Sequence, residues 1–303
     1  MALADFIPKI WNAMFLSKLR NNLVWGSVMN SNYEGDISSA GDTVKIPSSS
    51  TTVTVRDYTE STDIADPQEA NGTTQDLLID KQKYWHFYVD DIHEVQTRPN
   101  LMEDAMREAS YQMANQMDDD FRATIVGGYS AQRNVSVSVG GDIANLNDDD
   151  FDVAVLKAYS QIGLEMDEIN LPREGRWSIV GPKLVKRLTD RFSIQGNSSG
   201  IFVPATSEST LRNGFAGTLL GFELRVTNKV DTVDIGSGQN AKEHDRYWFG
   251  QGTEANTRAM QITETEAYRP ERRFGDAVKG LAVYGSKQTL PARLFTLSMQ
   301  TEA

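Results

Sequence analysis

Acidic clusters are the residues of this chain best placed to do chemistry. Asp90, Asp91, His93 and Glu94 lie within five consecutive positions. At the end of a strand, alternation would turn Asp91 and His93 to the same side, as a divalent-metal site would need. One imidazole with assorted carboxylates matches neither a zinc nor a calcium spacing, so solvated acids ahead of the next helix are the better reading. A metal-dependent enzyme using Asp91 and His93 stays as the rival enzymatic reading. Asp118-Asp119-Asp120 and Asp148-Asp149-Asp150 suggest paired carboxylates. On a helix, however, adjacent side chains diverge by about 100° and do not converge on one ligand. The second triplet stands where a helix begins, and acids there cap the chain and favour the dipole. Both triplets read as structural.

Other catalytic patterns are missing. Gly236-Ser-Gly238 lacks the third glycine of a dinucleotide loop, and Gly214-Phe-Ala-Gly217-Thr-Leu-Leu-Gly221 has no following Gly-Lys-Ser/Thr. There is no Gly-x-Ser-x-Gly elbow. With no cysteines and only His86, His93 and His244, few nucleophile-base pairs are available. No catalytic, cofactor or metal site is expected from the residues.

The 303 residues suffice for one large or two modest domains, with 39% hydrophobic and 24% charged side chains. Absent cysteines exclude disulfides and fit a reducing compartment. Asp5, Pro8 and Lys9 interrupt any apolar signal region, and no run approaches 18 apolar residues, so neither a secretory signal nor a membrane helix is expected. Net charge is −12, from 30 basic and 42 acidic residues, which argues against tight nucleic-acid binding. The charge is unevenly placed. Residues 90–120 carry nine acids against two Arg, whereas residues 171–229 carry nine Lys/Arg against four acids. These are either solvated faces or complementary subunit contacts; the second reading would set the acidic long-helix region against the basic 171–229 segment across a subunit boundary.

The elements that must position any function read as follows. Phe6, Ile10, Met14, Leu19 and Leu23 have roughly helical spacing, which predicts a short amphipathic helix whose apolar face needs covering. Val44 and Ile46, then Val53 and Val55, alternate with polar residues about Pro47-Ser-Ser-Ser50, which predicts a strand-turn-strand ribbon. Such a ribbon is marginal alone in water. Its apolar face is expected to be buried only against a neighbour. Composition from Glu60 to Thr74 reads as polar linker. Trp85, Phe87 and Val89 alternate with Tyr84, His86 and Tyr88, a strand. From Asn100 to Ile125, Met102, Met106, Ala109, Met113, Met117, Phe121 and Ile125 form one stripe, with Glu103 completing a capping-box-like pair and Gly127-Gly128 ending the run. That rod would be about 40 Å long. Further elements are a strand at Val135–Val139, a helix from about Asp149, a buried strand at Arg176–Val180, a helix from Pro182 to about Arg191, a long loop at 193–217, a strand at Gly221–Thr227 and strands through the tail. There is no internal repeat. This order predicts an α+β fold.

Several stretches together resemble the major capsid proteins of tailed bacteriophages, with the Hong Kong 97-like fold. They are Phe6-Ile-Pro-Lys-Ile-Trp11, Gly41-Asp-Thr-Val-Lys-Ile46, the run from Leu78 to Asp91, Arg176-Trp-Ser-Ile-Val-Gly-Pro182 and the run from Tyr268 to Gly280, with the long helix between them. The resemblance covers nearly the whole chain. It implies an N-arm (1–35), an extended β-hairpin E-loop and flanking strand (36–90), a peripheral domain (91–145 and 255–280) with a spine helix (100–126), and an axial α/β domain (146–254 and 281–303). It further implies a coat protein that self-assembles as hexamers and pentamers into an icosahedral phage head enclosing double-stranded DNA, in a virion assembled in the bacterial cytoplasm. Implied partners are its own copies, a separate scaffolding protein, a portal and a decoration protein, with no membrane. Subunit contacts are expected at Phe6, Ile10, Trp11, Val53, Val55, Arg56 and Tyr58. An encapsulin-like compartment subunit is the alternative on the same fold. The N-arm pattern starts at Phe6, which leaves no room for a fused scaffolding domain and implies either a separate scaffolding protein or a capsid that needs none. Lys45 lies at the ribbon base, so the covalent cross-linking of some relatives is not carried over.

Overall fold

The computed structural model describes residues 23–33, 43–48, 55–58, 60, 66, 73–90, 101–128, 134–136, 149–188, 202–204, 215–235, 242–272 and 274–300. The Met-rich stripe folds as expected into α1 (Leu101–Gly127), 27 residues and about 40 Å long. Met106, Met113, Met117, Phe121 and Ile125 are all buried along one side, while Glu103, Asp104, Arg107 and Glu108 face water. Glu103 and Arg107, one turn apart, pair at 2.9 Å.

α1 lies against a three-stranded antiparallel sheet ordered β11 (Asn256–Tyr268), β12 (Gly275–Gln288), β3 (Lys81–Asp90). Trp85 and Val89 of β3 are buried, Phe87 packs against the same core, and Tyr84 and His86 alternate outward, matching the period-two pattern. Gly280, opposite Trp85 in register, leaves room for the indole: a Cβ there would sit 2.5 Å from the ring.

The second body is an eight-stranded mixed sheet running β4 (Asn134–Ser136), β13 (Leu294–Gln300), β10 (Lys242–Gln251), β5 (Arg176–Val180), β8 (Phe222–Val226), β7 (Phe215–Leu219), β6 (Phe202–Pro204), with β9 (Asp231–Ile235) beside the first half of β10. Pairs β4–β13 and β5–β8 are parallel and the rest antiparallel. The sheet is buried on both faces. Val180, Leu224, Phe249, Phe295 and Leu297 pack with α2 (Asp149–Glu168) and the helix α3 (Pro182–Leu188), through Val155, Tyr159, Ile162, Leu184 and Leu188. Trp177, Ile179, Trp248 and Leu294 join the core beneath α1 instead. Every residue of β5 is buried for this reason, the polar Arg176 and Ser178 included.

The ribbon differs from its expected form. β1 (Thr43–Ser48) pairs with β2 (Thr73–Leu78), Val44 opposite Leu77, and the run 55–58 is not in a strand. Val44, Ile46, Leu77 and Ile79 are buried against Ala259 and Val283 of the three-stranded sheet, so this face is covered within the chain and not by a neighbour. β2 begins at the end of the expected linker, with Thr73 and Thr74, and went unpredicted because Gln75-Asp76-Leu77-Leu78 shows neither alternation nor β-branched residues. β7 likewise begins inside the expected loop of 193–217. Helix α3 is described to Leu188, the residues beyond it to Arg191 lie outside the described ones, and so do Val137 and Val139.

Candidate assembly surfaces

The aspartate triplet of α1 diverges as helical geometry requires, and each carboxylate fastens a different segment. Asp120 accepts a hydrogen bond from the Tyr284 hydroxyl and faces Lys81 at 3.7 Å. Burial, that hydrogen bond and the nearby carboxylates push the Tyr284 phenol well above its ordinary range. Asp119 takes the Lys229 ammonium at 2.7 Å, and Lys229 also donates to the Asn115 carbonyl at 2.8 Å. Acidic helix and basic segment therefore meet inside one chain at this point, where an intersubunit contact was expected. Asp118, 4% exposed, accepts the Gly26 backbone N–H at 3.0 Å, and the adjoining Val24 and Trp25 N–H groups also favour its charged form.

Those donors belong to the segment 23–33, which wedges between the two bodies. Leu23, Trp25, Val28 and Met29 are buried, and Trp25 meets Trp248 edge-on with ring centroids 6.3 Å apart. Asn30 bridges to β11, donating to the Asn256 carbonyl at 2.8 Å and accepting from the Arg258 N–H at 2.9 Å. Arg225 of β8 donates to the Ser27 hydroxyl at 2.8 Å.

On the face of the three-stranded sheet opposite α1, two rows of side chains cross the strands. His86, Lys279 and Glu266 form one row across β3, β12 and β11; Tyr88, Ala277 and Tyr268 form the next. His86 stacks on Tyr268 and hydrogen-bonds to its hydroxyl at 3.0 Å. Lys279 pairs with Glu266 at 2.8 Å and sits 5.1 Å from the Tyr268 ring centroid. Tyr84, 79% exposed, stands at one end and Phe274, 80% exposed, at the other, where Tyr88 donates its hydroxyl to the Phe274 carbonyl. A shallow groove runs between Tyr84, Tyr268 and Leu281. Aromatic anchors among satisfied polar groups are the composition of a protein contact surface.

Of the expected contact residues, Val55 is 92% and Tyr58 71% exposed, and Arg56 is exposed beside them. Phe6, Ile10, Trp11 and Val53 lie outside the described residues, as do Asp91 and His93. Val55, Phe274, Tyr84 and Tyr58 are the four most exposed large hydrophobic side chains among the described residues. They form two patches, one on the connection from β1 to β2 and one on the outer sheet face. Tyr84 and Phe274 went unnoticed as surface residues, although tyrosines opposite a fully apolar Trp85/Phe87/Val89 face were the available signal. Among the described residues no cluster of His, Asp and Glu could hold a metal ion, and no helix is long and apolar enough to cross a membrane.

This mixed architecture of long helix, small sheet and large sheet is the fold of bacteriophage capsid proteins. The chain superposes on a structure from Mycobacterium phage Che8 with a TM-score of 0.61 and 23% identity, covering 91% of each chain. It superposes on the capsid of Ralstonia phage GP4 with a TM-score of 0.61 and 16% identity, over 91% of this chain and 87% of that one. For the capsid of cyanophage P-SCSP1u the values are 0.62 and 13%, again over 91% and 87%. No curated protein sequence matches the chain. Residues 72–295 match the phage capsid protein family, and the chain belongs to it.

Proposed function

We propose that this capsid protein is the major coat subunit of a tailed phage, assembling as hexamers and pentamers into an icosahedral head around double-stranded DNA. The observation that carries this reading is the pair of exposed patches on a subunit whose core is otherwise closed. Val55, Arg56 and Tyr58 on the β1–β2 connection, together with Phe6, Ile10, Trp11 and Val53, would contact a neighbouring copy. A patch that contacts a different patch on the next copy is a heterologous contact, which closes rings when the rotation closes. The segments 1–35 and 36–90 would serve as arms. Residues 91–145 with 255–280 would form the peripheral domain, and 146–254 with 281–303 the axial one.

A net charge of −12 suits a wall that encloses DNA without gripping its backbone. The protein would act without catalysis, assemble in the host cytoplasm, and take a separate scaffolding protein, a portal and a decoration protein as partners. Purified chain, alone or with the scaffolding protein, should form shells, capsomers or sheets in negative stain. The double variant Val55→Asp/Tyr58→Asp should remain folded by circular dichroism and lose these assemblies. A chain that stays monomeric under all such conditions, or a double variant that assembles normally, would count decisively against the proposal.

A further inference from the structure

Asp118 is a carboxyl group with almost no water and, among the described residues, no cation in hydrogen-bonding contact with it. The charged groups on the elements packed around it are directed elsewhere. Lys229, between β8 and β9, holds Asp119 and the Asn115 carbonyl. Arg225 of β8 bonds to Ser27 and Glu223, and Arg258 of β11 lies over the Phe121 ring, 5.8 Å from its centroid. On α1 itself, Arg122 faces Asp119 and Asp231, and Asp120 faces Lys81 and Tyr284. Segment 23–30 contributes no charged side chain, only the backbone N–H groups of Val24, Trp25 and Gly26. Three N–H dipoles stabilise an anion, but removing a charge from water without a paired cation costs more than they return. Close packing also fixes the arrangement. A Cβ on Gly26 would come within 3.2 Å of the Phe121 ring, so this turn lies close against α1.

We propose that Asp118 is an acid-tightened clasp: the segment Leu23–Asn30, through which residues 1–22 join the body, seats most firmly between the two sheets when this carboxyl is uncharged. Acidification would draw the root of the amino-terminal segment onto α1, and a rise in pH would loosen it. Burial raises the Asp118 carboxyl to about 6, from an ordinary 3.8, with the three backbone N–H groups and then Lys229 opposing the shift. Because the seated state holds its proton more tightly, protonation favours seating. The contribution is complete below about pH 4 and is lost as pH rises through about 6. Two pH units correspond to about a hundredfold change in the seating equilibrium. The same linkage would let any contact made by residues 1–22 in a shell depend on pH.

Hydrogen exchange read by mass spectrometry tests this on the full chain, kept dilute and unassembled. Protection of the 24–30 amides, corrected for intrinsic exchange, should fall progressively between about pH 4 and pH 6, by up to about a hundredfold in all, and level off above that. Asp118→Asn, nearly the same shape but uncharged, should hold its protection flat across this range, whereas Asp119→Asn should keep the wild-type dependence. Flat protection in the wild type would overturn the clasp, and so would a fall lying wholly above pH 6. A pH dependence that survives in Asp118→Asn would overturn it too. If Asp118→Asn does not fold, wild-type Trp fluorescence still decides, since Trp25 and Trp248 are in contact only when the segment is seated. A change falling between about pH 4 and pH 6 supports the clasp and none refutes it.

Discussion

Three consecutive aspartates on α1 show how one residue type does three jobs when a helix turns it by about 100° per step. Asp118 faces the wedge segment, Asp119 the connection to β9, and Asp120 the three-stranded sheet. The spacing alone argued that they do not form a ligand site, because divergence is a property of the helix. Their partners could not be read from the sequence, since Gly26, Lys229 and Tyr284 lie 92, 110 and 164 residues away. The Tyr284 ring is buried and its hydroxyl reaches Asp120, which also keeps Lys81. Tyr284→Phe should therefore cost about 1–2 kcal/mol, a hydrogen bond to a charged acceptor lost without leaving that acceptor unpaired. Urea denaturation measures this; an unchanged midpoint would mean the contact adds nothing to stability.

At the scale of elements, legibility followed how strongly each pattern was written. The α1 stripe, the β3 alternation and the buried β5 strand were readable because burial on one face or on both leaves a mark. The ribbon was half legible. Val44 and Ile46 marked a strand, but local alternation suggested residues 53–55 as its partner, and long-range pairing chose 73–78. Register in a two-stranded ribbon is set by what its apolar face packs on, which here is Ala259 and Val283, some 200 residues onward. This separates two substitutions that the sequence would treat alike. Val44→Asp places a charge at a buried position and should destabilise the subunit by about 3 kcal/mol or more, seen as a lower melting temperature. Val55→Asp, at a fully solvated position, should move stability by no more than about 0.5 kcal/mol. Equal losses from both would show that residue 55 packs within its own chain.

For the whole molecule, the candidate surfaces were less legible than the fold, because a contact surface is defined by what does not pack. Tyr84 and Tyr58 look like any strand or loop tyrosine until the core is closed and they are left outside it. How that core closes sets the behaviour of the subunit. One cluster takes in Met106–Ile125 of α1, Val278 and Tyr284 of the small sheet, Trp177 and Trp248 of the large sheet, and Leu23–Met29 between them. The two bodies therefore share apolar side chains and have no separate core at their junction. Unfolding either body would expose half of that cluster to water, at roughly 25 cal/mol for each Å² uncovered. They should thus unfold together. Far-UV circular dichroism, which follows both sheets and α1, and tryptophan fluorescence, which follows Trp25, Trp85, Trp177 and Trp248 in the shared cluster, should give coincident denaturant curves for the unassembled subunit. Two separated transitions would mean that the shared cluster is too weak to couple the bodies.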